Sequence, residues 1–186
     1  MKLIGLSGKK QSGKDSIYRI AADSLRSRVG RVGFADAVKH EVSEVTGFRR
    51  DFIEKHKSEF RTLLQVWGTE FRRHFFGNDY WIEKMETVIE NSKEHYDYMF
   101  ITDVRFSNEA EFIKSHNGLL VKVERRLDTY QNIQDAIASV DSHASENDMN
   151  DYSNYDYVLN NNGTEKELQD SVKSMLETLN ILKNAA

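Results

Sequence analysis

The chain has 186 residues, 39% of them hydrophobic and 30% charged, with a formal net charge of −4; that suits one domain with a full core and speaks against a general nucleic-acid binder. It has no Cys and no Pro, which excludes disulfides, thiolate metal sites and cysteine catalysis and leaves its loops to Gly, Asn, Asp and Ser. No apolar run reads as a signal peptide or a membrane span, and a reducing cytoplasm is the expected setting.

The first informative stretch is residues 2–16. An apolar run over residues 3–6 reads as a buried strand and ends at Ser7, followed by Gly8, four residues, Gly13 and Lys14. This is the spacing of a phosphate-binding loop, G-x4-G-K, between a strand and an amphipathic helix carrying Ile17, Ile20, Ala21 and Leu25. Gly8 and Gly13 allow the backbone to turn successive N–H groups inward around an anion, and Lys9 and Ser12 lie within that turn. The helix starting near Lys14 adds the positive end of its dipole, and the Lys14 ammonium can reach outer phosphates. Asp15 stands where the pattern asks for Ser or Thr, and Ser16 follows it. A magnesium contact could come from Ser16, from Asp15 or through water.

Residues 29–35 read as a second strand with Asp36 at its end. A helix over about 37–45, closed by Gly47, follows. Asp36 then either faces the ligand crevice or caps that helix, or does both. Residues 58–76 read as one helix with Phe60, Leu64, Trp67, Phe71 and Phe75 on one face. Arg61, Gln65, Gly68 and Arg72 repeat on a neighbouring face. Arginines fork onto phosphate, Gln can read a base edge, and Gly admits a ring close to the backbone. A solvated polar stripe is the plainer alternative. Another helix runs to about Ser92. Tyr80 or Trp81 at its start could stack on a base, although core packing is the commoner fate of Trp.

Residues 98–102 form a buried-type strand ending at Asp103, with Arg105 two residues on. An apolar strand followed by Asp resembles the second phosphate-site element of such folds, where the carboxylate holds the magnesium shell. Asn108 and Glu111 read as the cap of the next helix, which Gly118 ends. Residues 119–124 form a fourth strand leading into Arg125-Arg126. From 127 to 155 the chain is polar, with a weak helical period (Ile133, Ile137, Val140), and a lid is the expectation. Arg125 and Arg126 would sit at its hinge, or form a solvated pair. His143 and Glu146 lack a third ligand and do not make a metal site. Residues 157–159 form a fifth strand, 160–163 a turn, and Thr164 with Glu167 a capping box. The last helix buries Leu168, Val172, Met175, Leu176, Leu179 and Leu182.

With these pieces placed, the chain resembles the phage deoxynucleoside monophosphate kinase family of P-loop kinases. The resembling segments are residues 8–16, Phe34-Ala35-Asp36-Ala37, Leu64-Gln65-Val66-Trp67-Gly68-Thr69-Glu70 with Arg72-Arg73, and Asp79-Tyr80-Trp81-Ile82. They continue with Ile101-Thr102-Asp103-Val104-Arg105-Phe106, Asn108-Glu109-Ala110-Glu111, Ser142-His143-Ala144-Ser145-Glu146 and residues 160–164. Ser107 stands where the family often has Pro. Dephospho-coenzyme A kinase is a more distant relative.

The resemblance implies an α/β chain in a three-layer α/β/α P-loop kinase fold, with a mostly parallel five-stranded sheet and a small helical lid. It implies one domain over 1–186, with 37–97 as the acceptor-binding region and about 125–155 as the lid. The implied reaction moves the ATP γ-phosphoryl group to a 2′-deoxynucleoside 5′-monophosphate with Mg2+. Gly8, Lys9, Ser12, Gly13, Lys14, Asp15 and Ser16 would hold ATP, and Asn161 and Gly163 would lie beside adenine. Asp15, Ser16 and Asp103 are the metal candidates. Asp36, Lys39, Arg61, Gln65, Trp67, Gly68, Arg72, Arg73, Tyr80, Trp81 and Arg105 would serve the acceptor. Lys14, Asp36, Arg105, Arg125 and Arg126 would act on the moving phosphoryl group. The expected partners are small molecules, with no nucleic-acid polymer and no membrane. A homodimer is left open, and the cytoplasm is that of the host if the gene is phage-borne. The alternatives are a kinase for another small acceptor, such as dephospho-coenzyme A, and a nucleotide-binding switch without catalysis.

Overall fold

The computed structural model describes residues 1–126 and 148–182. The expected segment Ser142-His143-Ala144-Ser145-Glu146, the helical period at Ile133, Ile137 and Val140, and so most of the expected lid lie outside the described residues. In chain order come β1 (Lys2–Ser7), α1 (Lys14–Ser24) and β2 (Val29–Val32). Then follow α2 (Phe34–Thr46), α3 (Arg50–Lys55), α4 (Lys57–Gln65), a π-helical segment (Val66–Arg73), α5 (His74–Phe76) and α6 (Tyr80–Ser92). The chain continues through β3 (Tyr98–Val104), α7 (Ser107–Ser115), β4 (Leu119–Glu124), β5 (Tyr157–Asn160) and α8 (Glu165–Thr178). Two compact units result: Met1–Arg31 with His95–Ala186, and Val32–Glu94.

The first unit is organised by a five-stranded sheet in the order β2-β3-β1-β4-β5. β1 runs parallel to both β3 and β4, and β4 runs parallel to β5. Buried on both faces, its central strands read as unbroken apolar runs. Alternation along β1 sends Ile4 and Leu6 into one cluster with Phe100, Val121, Val123 and Leu159. Ile17 and Ala21 of α1 and Val172, Met175 and Leu176 of α8 close over that cluster. On the other face a Cβ at Gly5 would lie 2.5 Å from Ile113 Cδ1, so α7 packs against bare backbone there. This unit therefore has helices on both faces of a parallel sheet, as expected.

α8 starts at the expected capping box: Glu167 N–H donates to Thr164 Oγ1 at 3.3 Å, and Thr164 N–H donates to Glu167 Oε2 at 2.7 Å. Two starts differ from expectation. β2 stops at Val32, and Phe34-Ala35-Asp36 already belongs to α2. Asp36 is therefore not at a strand end but in the first helical turn, where its Oδ2 accepts the Gly33 N–H at 2.8 Å. α7 is capped by Phe106 and Glu109, not by Asn108 and Glu111; Glu109 Oε2 accepts the N–H of Arg105 at 2.8 Å and of Phe106 at 3.2 Å. The buried Glu109 carboxylate returns to the N-cap backbone and satisfies two backbone N–H groups at the start of the helix.

The second unit buries Trp81, Met85 and Ile89 on one side of α6, with Phe34 and Val42 of α2 and Ile53 of α3 also in its interior. The single helix expected over 58–76 is three pieces, α4, the π-helical segment and α5. In a π-helix the hydrogen bond spans five residues rather than four, so a stripe counted at 3.6 residues per turn loses register. Phe71, Phe75 and Phe76 are exposed, Phe75 at 71%; Trp67, Phe71 and Phe75 follow one another in ring contact along one face, while Phe60 packs on Phe48 and Phe52.

Candidate functional site

In the first unit the loop after β1 is a cradle of backbone. Gly8 has φ +153°, Gly13 has φ +98° and Gln11 has φ +62°. A Cβ at Gly8 would lie 2.4 Å from the Val123 carbonyl, and one at Gly13 would lie 2.3 Å from Asn161 Nδ2. Both glycines are thus required twice, by conformation and by space. Gly13 is the N-cap of α1, so the first amides of an eleven-residue helix open at the loop. Ser12 is buried, 2% exposed. Lys14 arches back over the turn, its Nζ donating to Gly8 O at 2.7 Å and Lys9 O at 2.9 Å, with Ser12 Oγ at 3.4 Å. An ammonium, a hydroxyl and helix-end N–H groups form a donor set suited to phosphate.

Two further residues come to this loop. Asn161, just past β5, donates from Nδ2 to Ser12 O at 2.8 Å. Arg125, just past β4, donates from Nη1 to Gln11 O at 3.3 Å. Arg126 is exposed, and its backbone N–H donates to Asn162 Oδ1 at 2.6 Å. At Gly163 a Cβ would lie 2.4 Å from Glu167 Oε2, so a larger residue there would have to shift the capping carboxylate.

The carboxyl end of β3 lies beside the same loop. Ile101 pairs with Gly5 and Val104 with Ser7, which brings Asp103, between them, to the strand end from which the loop departs. Arg31, not singled out by the sequence, donates from Nε to Thr102 Oγ1 at 3.1 Å and lies 3.8 Å from Asp15 Oδ1. Asp15 and Ser16 occupy the first turn of α1. Magnesium in phosphoryl-transfer sites takes few protein ligands and keeps phosphate oxygens and waters. One or two of Asp15, Ser16 and Asp103 fit that need, and among the described residues no cluster of three His, Asp or Glu exists.

In the second unit the hub is Glu41 on α2, which sequence reasoning missed. Its Oε2 accepts Arg72 Nε at 2.6 Å and Trp67 Nε1 at 3.0 Å, and its Oε1 accepts the Tyr80 hydroxyl at 2.5 Å. The Arg72 guanidinium lies 4.9–5.3 Å from the ring centres of Trp67, Phe71, Phe76 and Tyr80, an aromatic box that favours a cation. Burial pushes the Glu41 carboxyl up, but the hydrogen bonds from Tyr80, Trp67 and Arg72 and the Arg72 charge outweigh it and hold the group below its ordinary value. Burial and the Glu41 carboxylate push the Tyr80 phenol up to about 12, so it remains a donor at neutral pH.

The other acceptor candidates divide. Lys39, 6% exposed, lies 2.5 Å from Glu54 Oε2 and 3.7 Å from Asp36 Oδ1, and Arg50 lies 3.7 Å from the same Asp36 oxygen. Arg73 is buried and donates to Asn78 O at 2.8 Å. Trp81, 2% exposed, donates its indole N–H to Gly68 O at 2.8 Å; it is a core residue, not a stacking platform. A Cβ at Gly68 would meet Val38 at 3.5 Å, ordinary contact, so no close approach within the protein demands a glycine. Gln65 is half-buried and Arg61 exposed. Glu41 had no local signal, since its partners lie 26 to 39 residues away.

Comparison with known proteins adds what geometry cannot. Residues 37–172 match a family model described as deoxynucleotide monophosphate kinase. A protein of Acanthamoeba polyphaga mimivirus, provisionally named a deoxynucleotide monophosphate kinase, is 32% identical, the match covering 95% of this chain and 97% of that protein. Phosphomevalonate kinase of Drosophila melanogaster is 26% identical over 97% of this chain and 98% of its own. Among solved structures, dephospho-CoA kinase from Campylobacter jejuni superposes with a TM-score of 0.53 at 11% identity, covering 95% of this chain and 96% of that one; it speaks to the fold alone.

Proposed function

The chain belongs to the deoxynucleotide monophosphate kinase family, and from that premise we propose that it transfers the γ-phosphoryl group of ATP to a 2′-deoxynucleoside 5′-monophosphate, giving the diphosphate. The observation that carries this reading is a formed phosphate cradle, Gly8 to Lys14, in a member of that family. Transfer between two phosphates asks a protein for positioning and for neutralisation of charge, with little covalent chemistry. Lys14, the Ser12 hydroxyl and the first amides of α1 hold the ATP phosphates. Asp15, Ser16 and Asp103 are the residues that would hold Mg2+, which supplies charge neutralisation between the phosphates. Arg125, already on the loop backbone, and Arg126 and Arg105 from the same unit carry positive charge to the transferring group.

The acceptor belongs to the second unit in this reading. Arg72 has its Nε on Glu41, and the two terminal nitrogens of its fork are the donors it would turn to a phosphate. Arg61 is a second guanidinium for that purpose, and Gln65, Trp67 and Tyr80 supply polar and aromatic wall. Asp36 and Lys39 contribute through the network with Arg50 and Glu54. The substrates are small molecules, and among the described residues no helix is long and apolar enough to cross a membrane. A cytoplasmic setting, the host's for a phage gene, is part of the same proposal.

The similarity to a phosphomevalonate kinase favours one second reading, a kinase for a different phosphorylated acceptor. A coupled assay of ADP release separates the two, with the four deoxynucleoside and four ribonucleoside monophosphates, dephospho-coenzyme A and phosphomevalonate as acceptors. Stimulation by at least one deoxynucleotide is expected. Stimulation by none of them overturns the proposal, and ATP binding without turnover on any acceptor identifies a switch.

A further inference from the structure

Asn161 is a polar side chain buried at 8% exposure, and its Nδ2 is engaged by main chain. Its backbone N–H donates to Glu124 O at 2.8 Å, so the side chain is launched from a backbone fixed to β4. From there Nδ2 reaches Ser12 O at 2.8 Å across 149 residues of sequence. A peptide unit is planar and trans. With the Ser12 carbonyl turned toward Asn161, the N–H of Gly13 points the opposite way. Gly13 at φ +98° is the position where the loop becomes α1. The two residues are fitted to each other, since a Cβ at Gly13 would lie 2.3 Å from Asn161 Nδ2.

We propose that Asn161 is a positioning residue for the phosphate loop: its amide fixes the Ser12–Gly13 peptide so that the Gly13 N–H and the first amides of α1 are aimed at bound phosphate. The proposal rests on the reading of this loop as the ATP site. It assigns Asn161 to the loop's backbone rather than to adenine, the contact that the family resemblance implied. The donor must be an N–H or O–H facing a carbonyl oxygen, so chemistry rather than size decides which replacements work.

The test uses the full chain and measures ATP binding by titration calorimetry, with steady-state KM values for ATP and acceptor. Asn161→Ala leaves the buried Ser12 carbonyl without its donor and should weaken ATP binding on the order of tenfold with the acceptor KM unchanged. Asn161→Asp keeps the size but sets a carboxylate against that carbonyl. At about pH 8 it should bind ATP no better than the Ala variant, and at about pH 5.5, where a buried carboxyl regains its proton and can donate, it should recover toward wild type. Wild type and the Ala variant carry the same Lys14 and Arg125 on the loop and so supply the baseline for protonation of ATP itself. Circular dichroism reports folding, and Asn161→Ser, too short to reach Ser12, replaces an Ala variant that does not fold. Wild-type affinity in the Ala or Ser variant, wild-type behaviour of Asn161→Asp at pH 8, or an equal rise in both KM values overturns the assignment while leaving the ATP site standing. Absence of ATP binding in the wild type overturns the functional reading, and the assignment with it.

Discussion

Glu41 shows how one carboxylate organises a region without any motif around it. Its side chain is 12% exposed and that of Arg72 19%, so the pair is poorly screened and removal of one partner leaves the other's charge uncompensated. The folded-state value of the Glu41 carboxyl is lowered, so its contribution to stability is complete above the ordinary glutamate range and is lost as pH falls through the lowered value. Glu41→Gln should therefore lower the Tm at neutral pH, corresponding to about 1–3 kcal/mol. The gap to wild type should narrow below about pH 4. Thermal melts by circular dichroism from pH 7 to pH 3 check this, and a gap that stays constant would show that the charge of Glu41 contributes nothing to the fold.

At the scale of an element, the π-helical segment is where periodicity misleads. The eight residues Val66–Arg73 include most of the family-like Gln-x-Trp-Gly-Thr-Glu stretch, and π segments often occur at functional sites. The change of register turns Trp67 and Arg72 onto Glu41 together, although they are five residues apart. Gly68 sits inside this segment with room for a methyl group. Gly68→Ala should leave the Tm unchanged or raise it, by the equivalent of about 0.5–1 kcal/mol of helix propensity. If an acceptor approaches the backbone at that point, the acceptor KM rises while the Tm does not fall. An unchanged KM would remove Gly68 from the acceptor site and leave it a packing residue beneath Trp81.

For the whole molecule, the loop connects ligand to stability. A ligand that binds only the folded state stabilises it by about 2.7 kcal/mol at a hundredfold excess over its Kd. ATP should accordingly raise the Tm of the wild type by several degrees. Lys14→Ala should abolish most of that rise and, on the proposed reading in which its charge serves the transferring group, reduce turnover by about two or more orders of magnitude. A Lys14→Ala protein with a full ATP-induced shift and near-normal turnover would place the nucleotide somewhere else. Lys14 is held by two loop carbonyls and is not part of the core cluster, so the substitution should leave the ligand-free Tm close to wild type.

The amino-acid sequence by itself determined the phosphate loop, the buried central strands, the last helix and its cap. These depend on rules that act over a few residues: a glycine where φ is positive, an apolar run for a strand buried on both faces, and a Thr three residues ahead of a Glu. Only the tertiary structure decided which partners the long side chains took. Glu41 found Trp67, Arg72 and Tyr80, Trp81 went into the core, and Asn161 turned to the loop rather than to open space. Asp36 likewise became a helix cap once β2 stopped at Val32. Such choices are made between groups tens of residues apart, by burial that penalises any donor or acceptor left unpaired, and no local spacing encodes them.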